Sequence, residues 1–329
     1  MIDKLPKKSM KLPSEDLFSC GFYALWYYCA PLTKHLSFIH ISLVILLITA
    51  APLHAAQNLV AMPVATPPVV DGVGNDRAWK YGTPIQTHDS IADIDFIMTA
   101  VYTDTEIFFR VVFSDPDESR THKSWVWDRE RNLYRVGDDR EDMFIFKWNL
   151  EERQVDLSIY GDDAYRADIW HWKACRTDPA GFADDNFQLL GNTRTNDSID
   201  LKSKSGRVNY LLRQEDGGQP AYTTNLVVEY QGENVPRYTN QVPSGSRADV
   251  EAKGRWENGM WIIEFARLLH TGHSDDIQFA LTKTYQFGVS RYDIAGLPKN
   301  IRINQPLYGR GDTSELLTLT FGKRASEQQ

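Results

Sequence analysis

Apolar and polar residues alternate along most of the chain with the two-residue period of β-strands. Residues 93–103 (opening DIDFIMTAV) and 106–113 (EIFFRVVF) are β-branched and aromatic. Thr103-Asp104-Thr105 between them is a turn, so a hairpin is predicted. Residues 142–148 (DMFIFKW) alternate again. Strands are also predicted at 155–160 and 167–174, with Gly161-Asp162-Asp163 between them. Six more are predicted at 226–230, 249–256, 260–266, 277–281, 285–291 and 316–321. Helical periodicity is weak everywhere. Short strands with regular turn signals predict an all-β fold, an antiparallel β-sandwich. Two polar stretches read as long loop insertions. Residues 114–137 include Trp125 and Trp127, and residues 192–246 are rich in Asn, Ser, Gly, Gln and Asp.

The pattern changes character near the start. Lys34-His35 precedes an apolar run over residues 36–51, which ends in Pro52-Leu53-His54-Ala55-Ala56-Gln57. This reads as a secretory signal cut after Ala55 or Ala56. The run is short for a membrane span. The segment before it is long for a signal, and residues 22–30 are also apolar, so a start at Met10 or an uncleaved anchor are the alternatives. The expected division is a signal peptide with an extended N-terminal region over 1–56 and one sandwich domain over 57–329. The exported domain is expected in the periplasm, without a stable membrane span after cleavage.

Charge narrows the partners. The 329 residues carry a formal charge of −8, and residues 57–329 hold 31 basic against 41 acidic side chains. An acidic exported domain repels nucleic acid and anionic membrane. Beyond the signal only Cys175 remains, so no internal disulfide is expected. Cys175 is either a thiol ligand or a small buried residue. There is no Cys-x-x-Cys-His, which excludes covalent haem attachment of the c type. Gly-x-Ser-x-Gly, Walker, His-Glu-x-x-His and Gly-x-Gly-x-x-Gly motifs are also missing. Autonomous enzymatic chemistry therefore has no positive signal.

The chemistry concentrates at Ala167-Asp168-Ile169-Trp170-His171-Trp172-Lys173-Ala174 and the Asp-, Pro- and Gly-rich turn that follows. Alternation puts Asp168, Trp170 and Trp172 on one face and Ile169, His171 and Lys173 on the other. That mixture suits a pocket for a large flat ligand such as haem. Trp170 and Trp172 are candidates to stack on a porphyrin, on sugar rings, or in a core. His171 is the first candidate axial ligand, or else a core histidine satisfied by a hydrogen bond. Lys173 is a ligand if deprotonated, a propionate partner, or a solvent-facing lysine. Arg176 and Arg166 flank the strand as propionate partners or as surface ion pairs. Met143, on a strand beside charged neighbours, is a further candidate ligand, or else core packing. The acidic clusters at 138–142, Asp162-Asp163 and Asp184-Asp185 are possible calcium ligands or solvated turns.

A resemblance adds to this. Pro68-Val69-Val70-Asp71-Gly72 with Asp76-Arg77-Ala78-Trp79, followed by the 94–113 hairpin and Ser114-Asp115-Pro116, is similar to the fold of family-nine carbohydrate-binding modules. The 168–174 strand, Asp178-Pro179-Ala180-Gly181 with Asp184-Asp185, and Gly254-Arg255-Trp256-Glu257-Asn258-Gly259-Met260-Trp261 narrow it. Together they resemble the ethylbenzene-dehydrogenase-type haem-binding domain, over about residues 63–322. The resemblance implies a sandwich that binds one non-covalent haem b and relays single electrons in the periplasm. It also implies a redox partner, either a molybdenum-type oxidoreductase or a c-type cytochrome. In that family a methionine and a lysine hold the iron. The methionine's place here is Ile159-Tyr160-Gly161, which makes Tyr160 a candidate phenolate ligand. The lysine's place is the last loop, where Lys299 stands. Two other readings are a carbohydrate-binding sandwich using Trp170, Trp172 and the acidic turns, and a haem-less structural subunit.

Overall fold

A computed structural model describes residues 57–89, 94–292 and 317–324. The first half of the fold contains β1 (Gln57–Pro63), β2 (Ile85–Asp89), β3 (Ile94–Tyr102), β4 (Glu106–Ser114), β5 (Trp125–Asp128), β6 (Leu133–Val136), β7 (Met143–Asn149), β8 (Tyr165–Lys173) and β9 (Asp184–Gly191). The second half contains β10 (Ile199–Lys202), β11 (Val208–Glu215), β12 (Tyr222–Thr224), β13 (Asn234–Val235), β14 (Tyr238–Asn240), β15 (Val250–Glu257), β16 (Met260–Leu268), β17 (Tyr285–Tyr292) and β18 (Leu317–Phe321). Helix is limited to short 3-10 turns among the described residues.

One continuous ladder makes both layers. Its order is β10-β11-β9-β8-β7-β17-β18-β1-β3-β4-β16-β15, with β2 beside β3. Strand β1 changes sheets: Gln57 to Ala61 pair with β18, whereas Met62 and Pro63 pair with β3. A strand that switches sheets turns a corner and stacks one layer on the other. Both pairings of β1 are parallel, so the expected antiparallel sandwich is mixed at this one strand.

The interior is filled by inward residues of both layers. Phe144, Phe146, Trp148, Trp170 and Trp172 come from β7 and β8, and they meet Phe109, Trp261 and Phe265 from β4 and β16. Ring centroids of Phe109 and Phe146 lie 5.0 Å apart, and those of Trp172 and Trp261 4.9 Å. The Asp-Gly turn at Asp71-Gly72 and the Trp79 anchor are held by one buried carboxylate. Glu264 accepts the Gly72 amide and the Trp79 indole N–H, both at 2.8 Å.

Residues 155–160 correct the predicted strand. Val155, Leu157 and Ile159 are buried against Ile145, Ile169 and Leu190, as the alternation requires. No ladder forms, because side chains take the backbone's hydrogen bonds. Gln286 accepts the Val155 N–H and donates to its carbonyl, while Lys147 Nζ and the Tyr165 hydroxyl donate to the Leu157 carbonyl. Residues 226–230 and 277–281 are not strands either. The two polar insertions fold into small sheets, β13-β5-β6 and β12-β14.

Candidate functional site

Strands β7 and β8 present the candidate donors on the face away from the aromatic interior. Met143 pairs with Lys173, and Ile145 with His171. The register puts His171 Nε2 3.2 Å from Met143 Sδ, with both side chains buried. Burial first, then the charges of Lys173 and Arg176, hold the His171 imidazole well below its usual pKa. His122, from the first polar insertion, is also buried and electrostatically coupled to His171. Its Nδ1 lies 3.4 Å from Glu141 Oε1 but makes no hydrogen bond. Burial, then Arg176, Lys123, Arg140 and Lys173, push His122 down to about 2. Both rings are therefore neutral at pH 7, the form in which imidazole binds a metal.

The cations around this pair are already engaged. Lys173 is ion-paired with Asp184, and Arg247 lies 3.3 Å from the same carboxylate and 2.5 Å from Glu215. Arg176 is paired with Glu141, which also accepts the Cys175 and Arg176 amides at 2.7 and 3.0 Å. Burial opposes the charge on Lys173, yet Asp184 holds its pKa above the usual value. The β12-β14 ribbon covers the cluster. Tyr222 lies 5.3 Å from the charged ends of both Lys173 and Arg176, and Tyr238 lies 5.5 Å from Arg176. Cys175 is pushed up to about 12 by burial and by Glu141, so it is a thiol and not a thiolate at neutral pH.

The other face of β8 is interior. Trp170 and Trp172 are fully buried, so of the settings open to them they occupy the core. Trp170 packs on Trp148 at 5.1 Å. The Trp172 indole N–H donates to Asp178 Oδ1 at 3.0 Å, and the same oxygen accepts the Gly254 amide at 2.6 Å. Gly254 lies flat on the Trp172 ring, where any Cβ would overlap it. Asp178-Pro179-Ala180-Gly181 and the Gly254 to Trp261 hairpin thus serve to lock Trp172 in place.

The remaining candidates scatter. Tyr160 is 41% exposed, and its backbone bonds Ser158 and Lys204, outside the His171 cluster. Arg166 pairs with Glu151 at 3.0 Å on the surface. Lys299 and the signal segment lie outside the described residues. Most of the acidic clusters read as calcium ligands or solvated turns are taken up in hydrogen bonds within turns. Asp139 accepts from Ser124, Asp142 from the Ser119 amide and Trp261, Asp162 from Ser205, and Asp163 from the Asp156 amide. Asp185 is the exception.

Sequence reasoning missed two contributors. His122 lies in a polar insertion and reaches the cluster only through tertiary folding. Arg267 occupies an inward position of β16 after Trp261, Ile263 and Phe265, all fully buried. An arginine in an apolar alternation is the signal that could have found it.

Two cavities border these residues. One of about 50 Å³ is lined by Ile169, His171, Asn186, Phe187, Gln188 and Arg213. A larger groove of about 570 Å³ lies at the Asn149 end of β7 and reaches Glu151, Asp276, Gln278, Tyr285 and Gln286.

The ordered motifs along this framework are matched by a family model described as ethylbenzene dehydrogenase, over residues 85–297. The chain belongs to the ethylbenzene dehydrogenase family. In this family member the match runs from β2 to just past β17 and contains His171, Met143, Trp170 and Trp172. No curated protein matches the chain. Among solved structures it is similar to a family-nine carbohydrate-binding module from Caldicellulosiruptor kristjanssonii in complex with cellotriose. That similarity has 8% identity and a TM-score of 0.37, covering 81% of this chain and 95% of that one. It is also similar to a Bacteroides uniformis protein described as carbohydrate-binding, with 7% identity and a TM-score of 0.38, covering 82% and 100%. No helix among the described residues is long and apolar enough to cross a membrane.

Proposed function

We propose that this ethylbenzene dehydrogenase family member is a periplasmic subunit that binds haem b and relays single electrons, with His171 as the first axial ligand. One observation carries the reading: a buried, neutral imidazole stands against a thioether, His171 on Met143, inside the matched family region. The donor chemistry fits haem iron, which takes imidazole and thioether ligands. Haem, when bound, supplies the one-electron iron couple. The chain's residues hold the ring, exclude water and set its potential. His171 contributes the neutral nitrogen lone pair, and Arg176 is the cation placed for a propionate if it exchanges Glu141 for it.

Space is the condition on this reading. Ligand pockets run to about 300–1,000 Å³, and the cavity at His171 is about 50 Å³. His171 and Met143 are in contact, so as they stand the two side chains leave no room for a metal between them. For these residues to hold haem, His171 and Met143 would part and the Tyr222 and Tyr238 ribbon would move aside. The implied partner is a molybdenum-type oxidoreductase or a c-type cytochrome. Leu226, Val228 and Val242, each more than 80% exposed, are apolar side chains open to a partner.

The closed His171–Met143 contact and the internally paired Lys173 and Arg176 favour one second reading, a haem-free structural subunit of the same kind of complex. Trp170 and Trp172 lie inside the core and provide no sugar platform. The deciding experiment is the visible spectrum of the exported protein from a haem-sufficient periplasm, oxidised and then reduced with dithionite. A Soret band with sharp reduced α and β bands, lost in His171→Ala, is the expected result. A colourless protein that takes up no added haemin would sink the electron-relay reading and leave the structural one.

A further inference from the structure

The face of the sandwich opposite His171 holds charge that its own residues do not balance. Asp168 of β8, Asp185 of β9 and Asp276, beyond β16, turn carboxylate oxygens to within 4.8 Å of one another. All three are at most 5% exposed. The cation packed against them is Arg267, which is fully buried. Its Nη1 lies 3.3 Å from Asp168 Oδ2, Nη2 2.8 Å from Asp276 Oδ2, and Nε 4.0 Å from Asp185 Oδ2. The guanidinium therefore takes one edge of the triad. On the other edge Asp168 Oδ1, both Asp185 oxygens and Asp276 Oδ1 accept no hydrogen bond. A buried carboxylate without donors is costly unless something positive meets it. If all three are ionised, one guanidinium leaves two negative charges; His273 Nδ1, 3.9 Å from Asp276 Oδ2, is already paired with Asp249.

We propose that Asp168, Asp185 and Asp276 bind one calcium ion in the interior of the sandwich, beside Arg267. The donors are all carboxylate oxygens, with no sulfur and no ring nitrogen, which selects a hard cation. A divalent ion brings the triad and Arg267 to neutrality. Calcium accepts irregular shells of about six to eight oxygens with bidentate carboxylates, whereas magnesium demands a regular octahedron and keeps its waters. Arg267 holds Asp168 Oδ2 and Asp276 Oδ2, so four carboxylate oxygens face the ion, and water from the groove completes an irregular shell of the kind that calcium accepts. The groove of about 570 Å³ that reaches Asp276 gives the ion a route in. Asp216 stands nearby as a further acidic group, 7% exposed and with Oδ1 unpartnered. The neighbouring Asp249–His273 group is not a rival site, because His273 Nδ1 lies 2.5 Å from Asp249 Oδ2 and closes it with its own ion pair. The rival occupant of the triad is a proton shared between Asp168 and Asp185.

The test uses the full-length chain, stripped with EGTA and titrated with calcium chloride. Elemental analysis is expected to return one calcium per chain. Saturation is expected to raise the melting temperature by about 5 °C or more. Terbium, as a calcium surrogate, is expected to luminesce on tryptophan excitation, because Arg267 lies 5.1 Å from the Trp170 ring. Asp185→Asn is expected to weaken calcium binding at least about tenfold, while the exposed-turn control Asp162→Asn leaves it unchanged. A stripped wild-type chain with no melting shift and no terbium emission at millimolar ion would overturn the site in favour of the proton. So would an Asp185→Asn chain that binds as tightly as wild type.

Discussion

Asp184 and Asp185 are consecutive residues of one strand, and they sit in opposite electrostatic situations. Asp184 faces outward from the aromatic interior and meets two cations, Lys173 and Arg247. Burial pushes its pKa up, but the two charges prevail and hold the carboxyl below its usual range. Asp185 faces inward and meets Asp168, Asp276 and a single shared arginine. Burial, then the Asp168 charge, drive it well above the usual range in spite of Arg267. Both carboxylates are buried, so burial does not separate them; the local count of positive charges does. The outer cluster, with the candidate haem donors, is complete and has to open before it admits anything. The inner cluster lacks positive charge and is the better place to look for a resident ion.

That comparison breaks most easily at the cations. Arg267→Met strips the inner triad of its guanidinium, and in calcium-free buffer it is expected to cost about 3–5 kcal/mol or to leave the chain unfolded. Urea unfolding reads this directly, and added calcium should restore part of the loss. A cost under about 1 kcal/mol would show that the triad is not the charged cluster described here. Lys173→Met removes one of two cations from Asp184 and leaves Arg247. Its expected cost is smaller, about 2–3 kcal/mol. If Lys173→Met proves the more damaging, the outer cluster is the less robust of the two and the comparison is reversed.

The neighbouring carboxylates offer a test of sign. In calcium-free buffer at pH 7.5, Asp185→Asn is expected to stabilise the chain by about 1–2 kcal/mol, because the amide carries neither a buried charge nor the cost of holding a proton that the unfolded carboxyl has lost. Asp184→Asn removes the partner of two buried cations and is expected to destabilise it by a similar or larger amount. Destabilisation by both substitutions would mean that Asp185 is already satisfied, by a proton or by a donor of the chain.

The two faces of β8 were legible in the sequence. The alternation through 167–174 separates Trp170 and Trp172 from His171 and Lys173, and the fold keeps that separation. What each face does was less legible. Free tryptophan faces suggest stacking on a ligand, but Gly254 and Asp178, which hold Trp172 in the core, lie far from it along the chain or in the turn after it. The His171–Met143 contact depends on the β7–β8 register, and no local pattern specifies a register. Asp184-Asp185 reads as a turn because buried aspartates are rare in strands; here ion pairing on one face and Arg267 on the other keep β9 extended. Adjacent acidic residues are the pattern that suggests calcium in a sequence. Those residues mostly cap turns, while the unbalanced carboxylates come from three separate segments. Strand β1's change of sheet is likewise a tertiary event with no local signal.

The smallest expected effect tests whether the two clusters respond to acid with opposite signs. His122 is held at about 2 by its burial and by Arg176, Lys123, Arg140 and Lys173, with Glu141 as the facing carboxylate. An unfolded histidine titrates near 6.5. Below about pH 6.5 the unfolded chain takes up a proton that the folded His122 refuses, so stability falls as pH falls through that value. The contribution is about 1 kcal/mol between pH 7 and pH 5.5. His171 adds a share of the same sign. The inner carboxylates act the other way. Asp216 is pushed up to about 8, by burial and then by Asp275, Asp168 and Asp276. The folded chain keeps its proton where the unfolded chain has lost it, so this contribution falls as pH rises from about 4 towards 8. His122→Gln should therefore flatten the acid limb of a urea-stability profile by about 1 kcal/mol and leave the limb above pH 7 unchanged. Calcium should lessen the fall of stability with rising pH between about pH 4 and pH 8, a change opposite in sign to that of His122→Gln. A His122→Gln profile parallel to wild type between pH 7 and pH 5.5 would mean that His122 is protonated in the folded chain and paired with Glu141. The outer cluster would then carry one more positive charge than described here, and His122 would no longer be a neutral imidazole available to a metal.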